Sequence, residues 1–256
     1  MIEVIESPLL RKAGFLHGFS LRSGGVSLPP FDTANLGRGL GDRAEHVAEN
    51  HRRLAARIGY RVEALYECSQ VHGRVVVEPA STELSVTEVR TLEADALISP
   101  RAGDALGVRS ADCVPLLIGD VRSGAVAAVH AGWRGVVAGV TTAAVSALLE
   151  ATGSRGADLV VAMGPHIRAE RFEVGLEVAD QIRSAAWGAE VVVGQSTGGK
   201  PLVDLTRALR AQLGALGVER IDDVGGCTLA EPDRFFSFRR DGVSSGRHLS
   251  VIVAGD

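Results

Sequence analysis

Ala127-Ala128-Val129-His130-Ala131-Gly132-Trp133-Arg134-Gly135 is the stretch on which the rest of the chain turns. An apolar run stops at a histidine, passes through a Gly-Trp-Arg-Gly turn and resumes as a helical pattern. A metal-competent side chain thus stands at the end of a strand-like run, beside an arginine that cannot lose its charge. Two upstream interruptions are similar: Ser69-Gln70-Val71-His72-Gly73 and Ser110-Ala111-Asp112-Cys113-Val114-Pro115. Together they supply two histidines and a cysteine. That is the chemistry of a soft metal site with an open position, or of a Cys/His hydrolase.

Outward from this stretch, apolar spacing predicts the elements. A helix runs from Ala44 to Ile58, with Asp42 as its N-cap and Gly59 as its stop. Strand-like runs cover Ala64–Cys68, Arg74–Glu78, Ala94–Ser99, Ala105–Val108, Val114–Ile118 and Ala125–Val129. A helix then continues from Gly132 to Gly153, with Val137, Val140, Ala144 and Leu148 inward. Asp158–Met163 reads as a strand, 173–187 and 203–216 as helices. Strands near Ile221–Val224, Phe235–Phe238 and His248–Val253 close the chain. Residues 14–42 are rich in Gly, Ser, Pro and Asn and read as loops around short strands. Gly194–Lys200 reads as an exposed loop. Strands and helices mix without strict alternation, and several strand pairs lie close enough for hairpins. That favours α+β layering with mixed sheets over a doubly wound parallel sheet. No linker or repeat divides the chain, so residues 1–256 are expected to form one domain.

With 256 residues, the chain is long enough for a large core. A formal charge of −4 gives no global case for binding nucleic acid or an anionic membrane, so any anionic substrate must be met by local arginines. Aromatics are 4% of residues, too few for a base-stacking platform. The three cysteines are dispersed and odd in number, unlike a disulfide framework. The first residues are acidic where a secretory leader needs basic ones, and no apolar run approaches a membrane span. A cytoplasmic protein is the expectation.

His72, Cys113 and His130 lie 41 and 17 residues apart, unlike the paired close ligands of a zinc finger. Spacing alone also suits buried, unrelated side chains. Their placement at the ends of strand-like runs suits a shared site. Three ligands with a fourth position open to water is the catalytic-zinc arrangement, in which the water becomes acidic near neutral pH. Asp112 reads as support for a ligand imidazole, as a general base, or as a turn residue. Cys113 is alternatively a thiolate nucleophile. Arg134, beside glycines at a helix start, suits an oxyanion or a surface ion pair. Trp133 packs, or walls a flat ligand. Arg22-Ser23-Gly24-Gly25 could wrap an anion with backbone N–H groups, though a plain Gly turn accounts for the same residues. Asn35 and Gln70 sit in turns before the first helix and before His72, and one of Arg239 and Arg240 could reach a site. Arg22, Ser23, Asn35, Gln70 and Arg239 are therefore the candidate substrate- or phosphate-binding residues.

Taken together these segments resemble the YfiH family, also called the laccase-domain or DUF152 family and, by an older label, multicopper polyphenol oxidoreductase. The most specific segments are His130–Gly135 and Ala111–Pro115. Also shared are Arg22–Ser27, Asn35-Leu36-Gly37, Gln70–Gly73, Ala94-Asp95-Ala96, Gly164-Pro165, Cys227-Thr228 and Phe235–Arg240. The resemblance implies a layered α/β/β/α fold shared with the catalytic domain of cytotoxic necrotizing factor. It implies His72, Cys113 and His130 as ligands to zinc, with copper from the laccase label. It also implies phosphorolysis of adenosine, inosine and methylthioadenosine, and deamination of adenosine. Bacterial members are linked to peptidoglycan editing, which points to a muramyl-peptide precursor. Many relatives carry Cys-Ile-Gly-Pro-Cys-Cys-Tyr where this chain continues from Gly164-Pro165 into His166-Ile167-Arg168. Without that thiol-rich loop, the three ligands supply one metal, which argues against a true laccase.

Three readings follow. The first is a zinc-dependent purine nucleoside phosphorylase with adenosine deaminase activity. Cys113, Asp112 and Arg134 are then its catalytic residues, and purine nucleosides and phosphate its ligands. The second is a Cys113/His130 hydrolase or amidase acting on an L-Ser-containing peptidoglycan precursor. The third is a non-enzymatic metal- or nucleotide-binding protein.

Overall fold

The computed structural model describes residues 1–82, 84–187 and 189–255. The strands are β1 (Val4–Ile5), β2 (His17–Ser20), β3 (Leu65–Tyr66), β4 (Val76–Val77), β5 (Ala96–Ser99), β6 (Ala105–Ser110) and β7 (Val114–Asp120). They continue as β8 (Val126–Ala131), β9 (Leu159–Met163), β10 (Val192–Gln195), β11 (Pro201–Val203), β12 (Arg220–Asp223) and β13 (His248–Val253). The α-helices are α1 (Pro8–Lys12), α2 (Ala44–Ile58), α3 (Val86–Val89) and α4 (Trp133–Ala138). The rest are α5 (Val140–Thr152), α6 (Leu176–Ser184), α7 (Leu205–Ala215) and α8 (Phe238–Asp241).

Two mixed sheets carry the molecule. One has five strands in the order β1-β2-β13-β6-β3, and the other six in the order β12-β9-β7-β8-β5-β4. The period of two along each strand then sorts the apolar residues into layers. In β7, Leu117 faces the five-stranded sheet and joins Phe19, Leu106, Val108, Ala128 and Ile252 in one core. Its neighbours Leu116 and Ile118 face the other way, onto Val140, Ala144 and Leu148 of α5 and Leu209 of α7. On the far side of the five-stranded sheet, Leu65, Leu249 and Val251 pack against Leu54, Ala55 and Ile58 of α2. The order is α/β/β/α, the expected α+β layering. Strands buried on both faces read as continuous apolar runs, which is why β7 and β8 show no polar alternation.

Several local expectations are corrected. The N-cap of α2 is Arg43, not Asp42. The Asp42 carboxylate instead accepts hydrogen bonds from the Ser27 hydroxyl and the Asn35 amide. The helix expected from Gly132 to Gly153 is broken into α4 and α5 at Gly139, which takes the left-handed conformation at φ 81°. Phe235–Phe238 is not a strand. Phe235 and Phe236 are fully buried, and Ser237 caps the short helix α8 with its hydroxyl. Gly194–Lys200 is for the most part the expected exposed loop: Gly194 and Gln195 end β10, and 196–200 form the turn into β11. Among the described residues, no helix is long and apolar enough to cross a membrane.

Candidate metal centre

Strand register builds the centre. β7 and β8 are antiparallel, with Val114 opposite Ala131 and Pro115 opposite His130. Cys113, just before β7, therefore lies beside the end of β8. On the other flank β5 pairs with β8, with Ala96 opposite Val129, which sets Asp95 next to His130. The His130 amide donates to the Asp95 carbonyl at 2.8 Å, extending that ladder. The loop carrying His72 is then fastened to the Asp95 side chain. The amides of Val71, His72 and Gly73 donate to its carboxylate at 3.2, 2.9 and 2.6 Å.

The result is a convergence of His72, Cys113 and His130, whose donor atoms all lie within 4.8 Å of one another. Cys113 Sγ is 3.8 Å from His72 Nε2, and the two imidazoles meet edge to face with centroids 4.9 Å apart. Tetrahedral zinc with one thiolate and one imidazole ligand places S and N about 3.5 Å apart. The donor set and spacing therefore fit zinc. His130 Nδ1 is bonded to Asp95 Oδ1 at 2.8 Å, which leaves Nε2 as its free donor atom. This carboxylate–imidazole pair fixes ring orientation and raises ligand basicity. Asp95 was not singled out from the sequence as a site residue. The signal in the sequence is a lone acid inside the apolar run Ala94–Ser99, and the fold buries it to 1% exposure. Asp112, considered above as support for an imidazole, does not take that part.

Electrostatics set the protons. Burial works against a Cys113 thiolate, but the His130 charge and hydrogen bonds from both imidazoles outweigh it and hold the thiol down at about 6. Burial also opposes charge on His130, yet the Cys113 sulfur and Asp95 lift it to about 9. Asp95, though desolvated, is kept below the usual carboxylate range by His130 and the loop amides. The other buried histidines contrast with this. Desolvation pushes His51 and His166 down to about 4 and His248 to about 3, so they stay neutral.

Gly132 shows why the His-Ala-Gly-Trp motif needs its glycine. A Cβ there would lie 2.7 Å from His72 Cδ2 and 2.9 Å from Cys113 Sγ. His72 and Asp112 hold positive φ, 61° and 98°, a conformation that costs non-glycine residues roughly 1–3 kcal/mol. Hydrogen bonds hold both in place. For His72 they are the bonds of its loop to Asp95. For Asp112, Oδ1 accepts from the Thr228 hydroxyl at 2.7 Å and Oδ2 from the Arg239 amide at 2.6 Å.

The centre opens into a cleft of about 450 Å³. His72 and His130 line it, with Gln70, Asp112, Ile167 and Phe172 among the other walls. Arg239 reaches its rim, with its guanidinium 5.6 Å from the Phe172 ring centre. Gln70 lines the cleft, but both ends of its amide are paired with the Arg109 backbone, at 2.7 and 2.8 Å. Arg134 lies in a neighbouring cleft, stacked on Trp133 at 4.4 Å. Three other expected residues lie away from this cleft. Arg22 and Ser23 border a separate depression, where Arg22 is spent on Asp32 and the Pro232 carbonyl. The glycines beside them serve a close chain crossing, not an anion nest: a Cβ on Gly25 would lie 2.0 Å from the Thr33 carbonyl. Asn35 is fully buried, pairing with Asp42 and accepting from the Gly37 and Arg247 amides. The altered segment after Pro165 contributes Ile167 to the cleft, whereas Arg168 turns away into a two-pronged ion pair with Asp223. Cys68 and Cys227 stay outside the ligand group.

Among the described residues, His72, Cys113 and His130 form the one group of three or more potential ligands, enough to hold one metal ion. Residues 16–255 match the family model described as multi-copper polyphenol oxidoreductase laccase. A Mycobacterium tuberculosis protein named purine nucleoside phosphorylase is 40% identical over 234 residues, covering 90% of this chain and 88% of the relative. The purine nucleoside phosphorylase YfiH of Shigella flexneri is 38% identical over 233 residues, covering 91% of each chain. The crystal structure of YlmD from Geobacillus stearothermophilus superposes with a TM-score of 0.86 at 30% identity, covering 95% of this chain and 93% of that one. Site, fold and sequence therefore agree, and the chain belongs to the YfiH, or laccase-domain, family.

Proposed function

We propose that this protein is a zinc-dependent purine nucleoside phosphorylase, acting on adenosine, inosine and methylthioadenosine, that also deaminates adenosine. The observation that carries the reading is a three-ligand centre, with His130 oriented by Asp95, opening into a cleft of nucleoside size. The names of the relatives support the substrate class. The soft donor set favours zinc over the several coppers of the laccase label. The cleft draws on residues from Gly37 to Arg247, so the whole chain works as one catalytic domain. A free thiolate ligand suits a reducing compartment such as the cytoplasm.

His72, Cys113 and His130 would hold the zinc, which would supply Lewis acidity to the reaction. Ile167, Phe172 and Phe238 give the purine an apolar wall. In phosphorolysis the bond from C1′ to the base breaks, a C1′–O bond to phosphate forms, and the purine leaves with the proton that the phosphate gives up. Guanidinium groups along the cleft stabilise the anion and the charge that develops. In deamination water adds at C6 and ammonia departs. Asp112, at the cleft wall, carries the proton from the water to the leaving amine.

The test is zinc content followed by product analysis. The protein as purified is expected to hold one zinc per chain and to release adenine or hypoxanthine only when phosphate is present. Cys113→Ala is expected to lose zinc and both activities together. Undiminished turnover by a metal-free Cys113→Ala protein would sink the reading.

One observation favours a second reading. A thiol held at about 6 beside an imidazole at about 9, backed by Asp95, is also a nucleophile, base and orienter. Such a site could serve a hydrolase or amidase of an L-Ser-containing muramyl-peptide precursor. Turnover of that precursor that survives a chelator but not thiol alkylation would select this reading.

A further inference from the structure

The wall of the cleft formed by Arg38, Arg109, Arg239 and Arg247 is cationic. Asp112 is the acid among the lining residues, and both its oxygens already accept hydrogen bonds. A second acid stands behind the wall. Glu67 is 1% exposed, at the end of the short strand β3. Its Oε2 is 3.6 Å from Arg38 Nη2 and 3.9 Å from Arg90 Nε, and its Oε1 is 3.6 Å from Arg109 Nε. One carboxylate is thus shared by three guanidiniums, none at full hydrogen-bonding distance. Both Glu67 oxygens and the buried Nε atoms of Arg38 and Arg90 lack hydrogen-bond partners. Positive charge is left over, and part of it faces the cleft through Arg38 and Arg109. Arg247 stands on the same wall, with Nη1 committed to the Ser245 and Gly246 carbonyls.

Arg38 and Arg109 are half-buried, and guanidiniums drawn out of water are normally matched by carboxylate or phosphate in forked hydrogen bonds. Here the one carboxylate is shared and sits on the side away from the cleft. Arg109 Nη2 also donates to the Cys68 carbonyl at 2.8 Å, which is neutral and leaves the charge unmatched. The arrangement holds two arginines from behind and leaves their charge short of an anion in front. We infer that Arg38 and Arg109, flanked by Arg247, form the subsite for the tetrahedral oxyanion co-substrate, inorganic phosphate. Glu67 is the positioning residue that fixes the first two. The identity of the anion rests on the phosphorylase reading; the existence of an anion subsite does not. This places phosphate on the wall to which β6 contributes Arg109, rather than at Arg22 or Arg134.

The experiment compares wild-type, Arg38→Met, Arg38→Lys and Arg109→Met proteins, all zinc-loaded. Each methionine variant is expected to raise the KM for phosphate by about tenfold or more, as when a charge-assisted hydrogen bond is lost, while leaving the KM for nucleoside within about twofold. Arg38→Lys, which keeps the charge, recovers part of the loss. Zinc content stays at the wild-type value. Unchanged phosphate KM in both methionine variants, or equal rises in the two KM values, overturns the subsite. Calorimetric titration with inorganic phosphate, without nucleoside, separates this from the function itself. Phosphate that binds wild type but not Arg38→Met upholds the subsite even if no phosphorolysis is found, and then only the phosphorylase reading falls. No binding to wild type, or equal binding to both, overturns the subsite. Adenosine 5′-monophosphate, titrated in parallel, tests for a phosphate carried on the nucleoside. Its binding through Arg38 in a protein that ignores inorganic phosphate would overturn the co-substrate assignment.

Discussion

Cys113 and His130 hold each other's charge. Without metal, from about pH 6 to about pH 9, the thiolate faces a protonated imidazole. A metal ion needs the sulfur ionised and His130 Nε2 free, so binding expels protons. Between those pH values His130 gives up its proton. Below about 6 Cys113 gives one up as well, and above about 9 neither of these two groups does. Zinc affinity therefore climbs about tenfold per pH unit across the middle window, more steeply below it, and levels off above. Zinc titration in weakly buffered solution with a pH indicator measures the count. A value near zero at pH 7.5 would show that His130 is neutral before metal arrives. At this scale the sequence was partly legible. His72, Cys113 and His130 stood out because each interrupts an apolar run. Asp95 did not, since its part depends on the amides of Val71–Gly73, 22–24 residues away. Arg22 and Asn35 looked available because composition does not reveal which partner has already claimed a polar group.

At the level of elements, the antiparallel pairing of β7 and β8 turns a separation of 17 residues into adjacency. The same two strands are visible as apolar runs flanking Val121–Gly124, so this half of the site follows from reading them as a hairpin. The loop of His72 is different, because it belongs to neither strand and is held by the side chain of Asp95. Gly132 joins the two levels, ending the turn after β8 and opening α4 as its N-cap. Gly132→Ala is expected to push a methyl group against both His72 and Cys113 and to displace at least one ligand. Zinc affinity should fall by about 10- to 100-fold, the scale seen when ligand support is lost, with the far-ultraviolet spectrum unchanged. A variant that binds zinc normally would mean that the loops shift freely. The break between α4 and α5 could not be found from periodicity, because Val137 and Val140 continue the apolar stripe across Gly139.

For the whole molecule, the site sits where two sheets meet. His130 lies in β8 and Cys113 just before β7 of the six-stranded sheet, whereas Arg109 lies in β6 and Arg247 just before β13 of the five-stranded one. Their separation is set by the core between the sheets, in which Leu117 is fully buried. Leu117→Ala should cost about 2–5 kcal/mol, through lost transfer energy and the cavity left behind. Urea unfolding checks this, and a loss below about 1 kcal/mol would mean that the sheets close over the gap. The sequence by itself determined the layered α+β class and the donor atoms that the centre has to offer. Strand and helix periods are local, and a histidine or cysteine keeps its donor atom wherever it lies. Only the tertiary structure decided which acid orients His130, which arginines face the cleft and which are spent elsewhere. Those outcomes depend on register and on contacts between segments far apart in the chain, and no local pattern encodes either.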